Sequence, residues 1–320
     1  MAMFCRFCGV PLNYPGQPYC LNCGRSLVVA PPKKERSGVA KFFIALAKCL
    51  GYFAVMQGVS GLFQIVYMVV LMFQFPNMGL SMNGYTDEYL AEMSKNLCWV
   101  MAASYVALFL VYMLIFAIRK KTLWNETGIR KTQFAALPSA FIFGVGLQIA
   151  TVFIINVLCM LFPAVAESAA APNESYELLL AESSVLSQFV FMAVATPVIE
   201  ELVFRGLIYT RMKKGMPKIA AMLLSAVVFG IMHSGAVQFT YAAALGIIMV
   251  LIYEKYNSLL PCIFLHAGFN ATNFIYDYLN MDSWLVCLAL MALAAGCVLW
   301  FVVYFFISKP IYEEKTNETL

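Results

Sequence analysis

Polar residues are sparse enough along this chain that the apolar runs between them can be read directly. They extend from about Phe42 to Phe75, Leu97 to Ile118, Phe134 to Phe162, Val185 to Tyr209, Ile219 to Ser234, Phe239 to Tyr253, Leu259 to Tyr278 and Trp284 to Ile307. A helix rising 1.5 Å per residue needs about 20 apolar residues to cross a hydrocarbon core of about 30 Å. Several runs meet that length, two are short, and the first is long enough for its start to lie along the membrane interface. The pattern predicts an all-α polytopic membrane protein of about eight transmembrane helices, with a small unit before the first of them.

Composition agrees. With 62% hydrophobic and 12% charged residues over 320 positions, and a mean hydropathy of +0.79, the chain carries more apolar surface than a soluble globule of this size can hide. The net charge of +4 matters less than its placement. Starting with the N-terminus inside, the cytoplasmic segments receive Lys33, Lys34, Arg36 and Lys41, then Arg119, Lys120, Lys121, Arg130 and Lys131, then Arg211, Lys213, Lys214 and Lys218, then Lys255, then Lys309 and Lys315. The outer loops receive Lys95 alone, and loop 163–183 is acidic, with Glu167, Glu174, Glu177 and Glu182. By the positive-inside rule both termini are cytoplasmic and the protein is a multi-pass cell-membrane protein. The basic balance thus reports orientation and calls for no nucleic-acid partner.

Ten cysteines do not predict disulfides here. Six are scattered singly through apolar segments, where cysteine packs as a small hydrophobe. The other four, Cys5, Cys8, Cys20 and Cys23, form two C-x-x-C pairs, each followed by glycine (Gly9, Gly24) and separated by eleven residues. Four thiolates at that spacing can close a tetrahedral zinc site, and the glycines permit the tight turns that aim both sulfurs of a pair at one ion. Residues 1–26 therefore resemble a zinc ribbon with a structural Zn. A segment this short has too little core to fold without the metal. Reduced thiols place it in the cytosol. Residues 27–41, with Pro31, Pro32, Lys33, Lys34 and Arg36, read as a basic linker to a membrane domain over 42–309, and 310–320 as a cytoplasmic tail.

One apolar run is interrupted by charge. Glu200, Glu201 and Arg205 fall within the run from Val185 to Tyr209, and a charge at the bilayer centre costs about 2.5–3.5 kcal/mol on insertion scales. Glu201 and Arg205 are four apart and share a face, so they can neutralise each other; Glu200 sits about 100° round the helix and has no cation of its own. Pro197 removes a backbone donor three residues earlier and predicts a kink beside the acid. The chain's two histidines, His233 and His266, also lie inside apolar runs, and Asn270 follows His266 by four on the same face, with Asn273 near it one turn on. Counted from the cytoplasmic helix ends, Glu200, His233 and His266 rise roughly 15, 20 and 13 Å, so three helices bring a carboxylate, two imidazoles and an amide to one layer.

Glu200-Glu201-x-x-x-Arg205, Phe229-x-x-x-His233 and His266-x-x-x-Asn270, in this order and spacing, resemble the three motifs of the CPBP family of intramembrane proteases, which includes the type II CAAX prenyl proteases and relatives with bacteriocin-related roles. The resemblance covers about 185–280. It implies a hydrolase in which Glu200 and His233 hold and deprotonate a water and His266 with Asn270 stabilise the oxyanion, Glu201 and Arg205 completing the site. It implies a peptide or membrane-protein substrate met within membrane lipid. The family is often labelled metalloprotease, which leaves an active-site Zn open, although no H-E-x-x-H occurs. Midplane charges also suit a proton-coupled transporter, though no repeated half with matching interrupted helices is visible. A catalytically silent scaffold or immunity-type protein is the third reading. The ribbon points to a bacterial chain.

Overall fold

The computed structural model describes residues 4–5, 8–13, 17–25, 37–74, 80–81, 84–85, 87–180, 182–233, 235–276, 279 and 283–308. Most of the basic linker, Lys309, Lys315 and the tail 310–320 lie outside these residues. The chain forms two compact units, Met1–Ala40 and Lys41–Leu320.

In the first unit the two cysteine pairs adopt matching turns. The Gly9 N–H donates to the Cys5 carbonyl and the Gly24 N–H to the Cys20 carbonyl, each at 2.8 Å. Both glycines take the left-handed conformation, with φ of 72° and 68°, which a side chain would strain. Phe4 and Pro11 form an isolated antiparallel bridge across the first turn.

The second unit is almost wholly helical. Its helices are α1 (Gly38–Gln74), α2 (Asp87–Ile118), α3 (Leu123–Thr127), α4 (Ala136–Leu161), α5 (Pro163–Leu180), α6 (Val185–Met212), α7 (Lys218–Ile231), α8 (Gly235–Tyr256), α9 (Leu260–Tyr276) and α10 (Trp284–Ile307). The only sheet among the described residues is a hairpin of two-residue strands, β1 (Leu80–Ser81) and β2 (Gly84–Tyr85).

Each predicted run contains a helix, but a count of eight full-length spans is not confirmed. Among the described residues six helices, α1, α2, α4, α6, α8 and α10, are long and apolar enough to cross a membrane, while α7 and α9 have 14 and 17 residues. At 1.5 Å per residue these two rise only about 21 and 25 Å, less than the hydrocarbon thickness. Two further differences arise where charge masked helical structure. The acidic segment read as a loop over 163–183 contains α5, and α2 begins ten residues before Leu97, its first turns carrying the Glu92–Lys95 pair at 2.5 Å.

α6 is the centre of the unit. Every residue from Glu201 to Met212 is buried, the signature of a helix surrounded by others rather than by lipid or water. α1 and α10 instead leave large apolar side chains exposed, among them Phe43, Ile65, Phe73, Leu285, Leu299 and Phe306, as lipid-facing helices do. α4 packs most extensively on α9 and α10. Its approach to α9 requires glycine: a Cβ at Gly144 would stand 2.0 Å from the Leu265 carbonyl oxygen, and one at Gly268 2.2 Å from that of Phe141. Small residues replace the missing hydrophobic drive between membrane helices with close backbone contact.

α3 is fastened to the end of α6 by charge. Glu126 pairs with Lys121 and with the buried Arg211. Burial opposes the charge on Glu126, but the Lys121 ammonium and the Arg211 guanidinium outweigh it and hold the carboxyl below its usual range. Lys213 and Lys218 converge likewise on Glu254 of α8, at 2.5 and 2.7 Å.

Candidate active site

The charged interruption of α6 is accompanied by a change of helix type. Val190–Ala195 and Leu202–Tyr209 form wide π turns flanking the α-helical segment Thr196–Glu201. In the first of these the Thr196 N–H reaches back five residues to the Phe191 carbonyl. In that register the next donor would serve the Met192 carbonyl, but the next residue is Pro197, which has no N–H. The Met192 carbonyl instead accepts from the Nδ2 of Asn270 on α9, at 2.8 Å. The proline therefore gives a second helix an anchor point on the backbone of α6, and widened turns of this kind are frequent at functional sites.

Glu201 and Arg205 form the expected pair, Nη1 to Oε1 at 2.6 Å, with side chains 0% and 2% exposed. The same Oε1 also lies 2.9 Å from the Nδ1 of His266. This link joins α6 to α9 and is absent from the sequence pattern, where Glu201 is satisfied by Arg205 alone. Arg205 stacks over the ring of Phe229 at 4.1 Å, and that ring meets His233 and His266 edge-on, with centroids 4.9 and 6.0 Å apart. Phe229 thus sets the position of both imidazoles.

The hydrogen bonds also assign the ring protons. His233 Nδ1 lies 3.0 Å from the Phe229 carbonyl oxygen, which can only accept, so that nitrogen carries the proton. Against the Glu201 carboxylate the Nδ1 of His266 is the donor for the same reason. Neutral His233 and His266 therefore each retain a bare Nε2, and the one on His266 is 3.9 Å from Glu200 Oε2. Glu200 is 18% exposed, and its Oε2 is buried without a hydrogen-bond partner.

Glu200, His233, His266 and Asn270 line one cavity of about 640 Å³. α4 adds Gln148 to the wall, α6 adds Thr196 and α9 adds Asn273. Gln148 was missed by motif reading, although a glutamine within the run from Phe134 to Phe162 is itself a polar interruption. The remaining wall is mostly apolar, including Val152, Ile155, Phe191, Val237 and Leu245, with Thr151, Asn156 and Gln238 among them. The arrangement offers a carboxylate, two proton-accepting nitrogens and an amide donor around a common space, which suits general base chemistry on a bound molecule.

Metal fit differs between the two units. Among the described residues, the only group of three or more His, Cys, Asp or Glu side chains whose ligand atoms all lie within 4.8 Å of one another is Cys5, Cys8, Cys20 and Cys23. A tetrahedral Zn–S length of about 2.3 Å requires sulfurs about 3.8 Å apart. The Cys5–Cys23 and Cys8–Cys20 separations are 3.9 and 3.6 Å. Among the four as free thiols, the Val10 backbone N–H and then the Asn22 side chain draw Cys8 down to about 6, while, against a backbone bond from Arg25, burial and the neighbouring thiols push Cys23 up to about 11. These cysteines fit a metal and are consistent with a zinc ribbon. The cavity residues do not gather their donors in this way.

No match was found among curated proteins or among solved structures. Residues 182–272, which carry Glu200, Glu201, Arg205, Phe229, His233, His266 and Asn270, match the family model described as Rce1-like, Type II CAAX prenyl endopeptidase Rce1-like, and this similarity supports intramembrane endopeptidase activity in general.

Proposed function

We propose that this protein hydrolyses a peptide bond inside the membrane with a water activated by Glu200 and His233. The observation that carries the reading is the convergence on one cavity of Glu200 from α6, His266 and Asn270 from α9, and His233, which stands in the turn after α7 rather than on that helix. In the proposed cycle the Glu200 carboxylate takes the proton of the attacking water, and the bare Nε2 of His233 accepts its second hydrogen bond. Asn270 spends one amide hydrogen on Met192 and offers the other to the developing oxyanion. His266, whose Nε2 lies 3.9 Å from Glu200 Oε2, joins it as a donor when that nitrogen carries a proton. An oxyanion donor of this type contributes typically about 2.7–4 kcal/mol. Glu201, Arg205 and Phe229 position these groups. No step is routed through an active-site metal. The cysteine cluster is assigned a structural Zn.

The wall supports a substrate class. Its largely apolar stretch suits a peptide with an apolar or prenylated side group, drawn from a membrane-associated protein. The test compares membranes of cells making the wild-type protein with those making Glu200→Gln or His233→Ala. Both variants should lose cleavage by about 10²- to 10⁴-fold, as expected when a base that activates the nucleophile is removed, and uncut peptides should accumulate in the membrane proteome. Full cleavage by correctly folded Glu200→Gln protein ends the proposal.

A further inference from the structure

The cavity holds a polar pair that this chemistry does not use. Gln148 of α4 donates from Nε2 to Asn273 Oδ1 of α9, and its own Oε1 is buried with no hydrogen-bond partner although the side chain is only 8% exposed. Both residues line the cavity. We propose that Gln148 and Asn273 clamp one backbone peptide group of the substrate and hold its chain extended across the site. The inference rests on the reading that the substrate is a peptide.

The chemistry matches in kind and number. A peptide group carries one N–H and one C=O, and away from water both require partners. The pair presents one of each, the Gln148 carbonyl as acceptor and the Asn273 amide NH₂ as donor. Because the two side chains are tied to each other, they are ordered before a substrate arrives, which lowers the cost of binding. The placement also fits. Asn273 lies three residues beyond Asn270 and seven beyond His266 on α9, about 4.5 and 10.5 Å along the axis. An extended chain advances about 3.3 Å per residue, so the clamp meets the substrate one to three residues from the bond to be cut.

A plain structural tie between α4 and α9 explains the observations less well. Gly144 and Gly268 already hold those helices in backbone contact. A tie also leaves the Gln148 carbonyl oxygen buried without a partner in the cavity wall, which a leucine of similar volume would avoid. Sequence separation gives no hint of the pairing, since the two residues are 125 positions apart.

The test uses full-length Glu200→Gln protein in lipid nanodiscs, which binds without cutting, and a fluorescent farnesylated octapeptide as probe. A series of probes replaces each backbone N–H in turn by an ester oxygen. One position should weaken binding about 3- to 10-fold, the loss of one hydrogen bond. In Gln148→Leu and in Gln148→Met the parent probe should bind as weakly as that ester, and the ester penalty should vanish. Equal penalties in the presence and absence of Gln148, in whichever of the two variants folds, overturn the clamp, as does failure of the probe to bind. Binding is read in Glu200→Gln protein and turnover in protein that retains Glu200, so the clamp pattern in the first with no cleavage by the second overturns the hydrolytic reading alone. Cleavage by the second without the pattern in the first overturns the clamp alone.

Discussion

Glu200 and Glu201 are adjacent in sequence yet live in different electrostatic surroundings. Glu201 is fully buried, neutralised by Arg205 and bonded to His266, whereas Glu200 lines the cavity and pairs with no Lys or Arg among the described residues; each acid keeps one oxygen without a hydrogen-bond partner. Their amide variants should therefore fail differently. Glu200→Gln should retain the wild-type Tm and lose cleavage. Glu201→Gln leaves Arg205 as an uncompensated buried charge, a change that typically costs about 3–5 kcal/mol, and also loosens His266. Its Tm should fall, and its residual activity should show a reduced kcat with KM nearly unchanged, as expected when positioning rather than binding is damaged. Thermal unfolding in detergent with steady-state kinetics on the same preparations checks both. A Glu201→Gln protein with wild-type kcat removes His266 orientation from its role.

At the scale of the element, α6 and α9 depend on a defect. The π turn over Val190–Ala195 and the missing N–H of Pro197 leave the Met192 carbonyl to accept from Asn270. Pro197→Ala restores a backbone donor that competes for that carbonyl. Stability should stay level or rise, since a proline in a helix interior is unfavourable by about 3 kcal/mol relative to alanine, while kcat should drop about 10-fold or more as Asn270 loses its anchor. Hydrogen–deuterium exchange, which would show stronger amide protection over 190–197 in the variant, reads the structural half of this expectation. Wild-type kcat together with that added protection would show that the anchor is not used in turnover.

For the whole molecule, the small N-terminal unit and the membrane unit should respond separately to metal removal. The cysteine cluster is the group of four whose sulfur spacings fit a zinc tetrahedron, and a segment of this size depends on its metal to fold. One Zn per chain is expected in purified protein by elemental analysis. Cys8→Ser or chelation should unfold the ribbon while the membrane unit keeps its helical signal and its cleavage activity. The proposed orientation enters the same experiment: after metal removal, a membrane-impermeant maleimide should label the ribbon cysteines in inverted vesicles and not in intact cells. Loss of cleavage on chelation in a protein whose four ribbon cysteines are serine would instead show a second metal, in the cavity.

The sequence by itself determined which segments become helices in a membrane, because apolar run length responds to the thickness of the bilayer, a single external dimension. It also determined the Glu201–Arg205 pair and the cysteine site, since both are local: four residues along one helix, and two short turns with glycine at fixed places. Charge in the acidic segment hid α5, and the lengths of α7 and α9 settle the difference between eight runs and six long helices. Tertiary structure alone decided that His266 is held by Glu201, that Asn270 hangs from Met192, and that Gln148 reaches Asn273. These contacts join residues 65 to 125 positions apart. Helical periodicity says which face a side chain occupies and nothing about which other helix that face will meet; packing of whole helices, set by glycines such as Gly144 and Gly268, makes that choice.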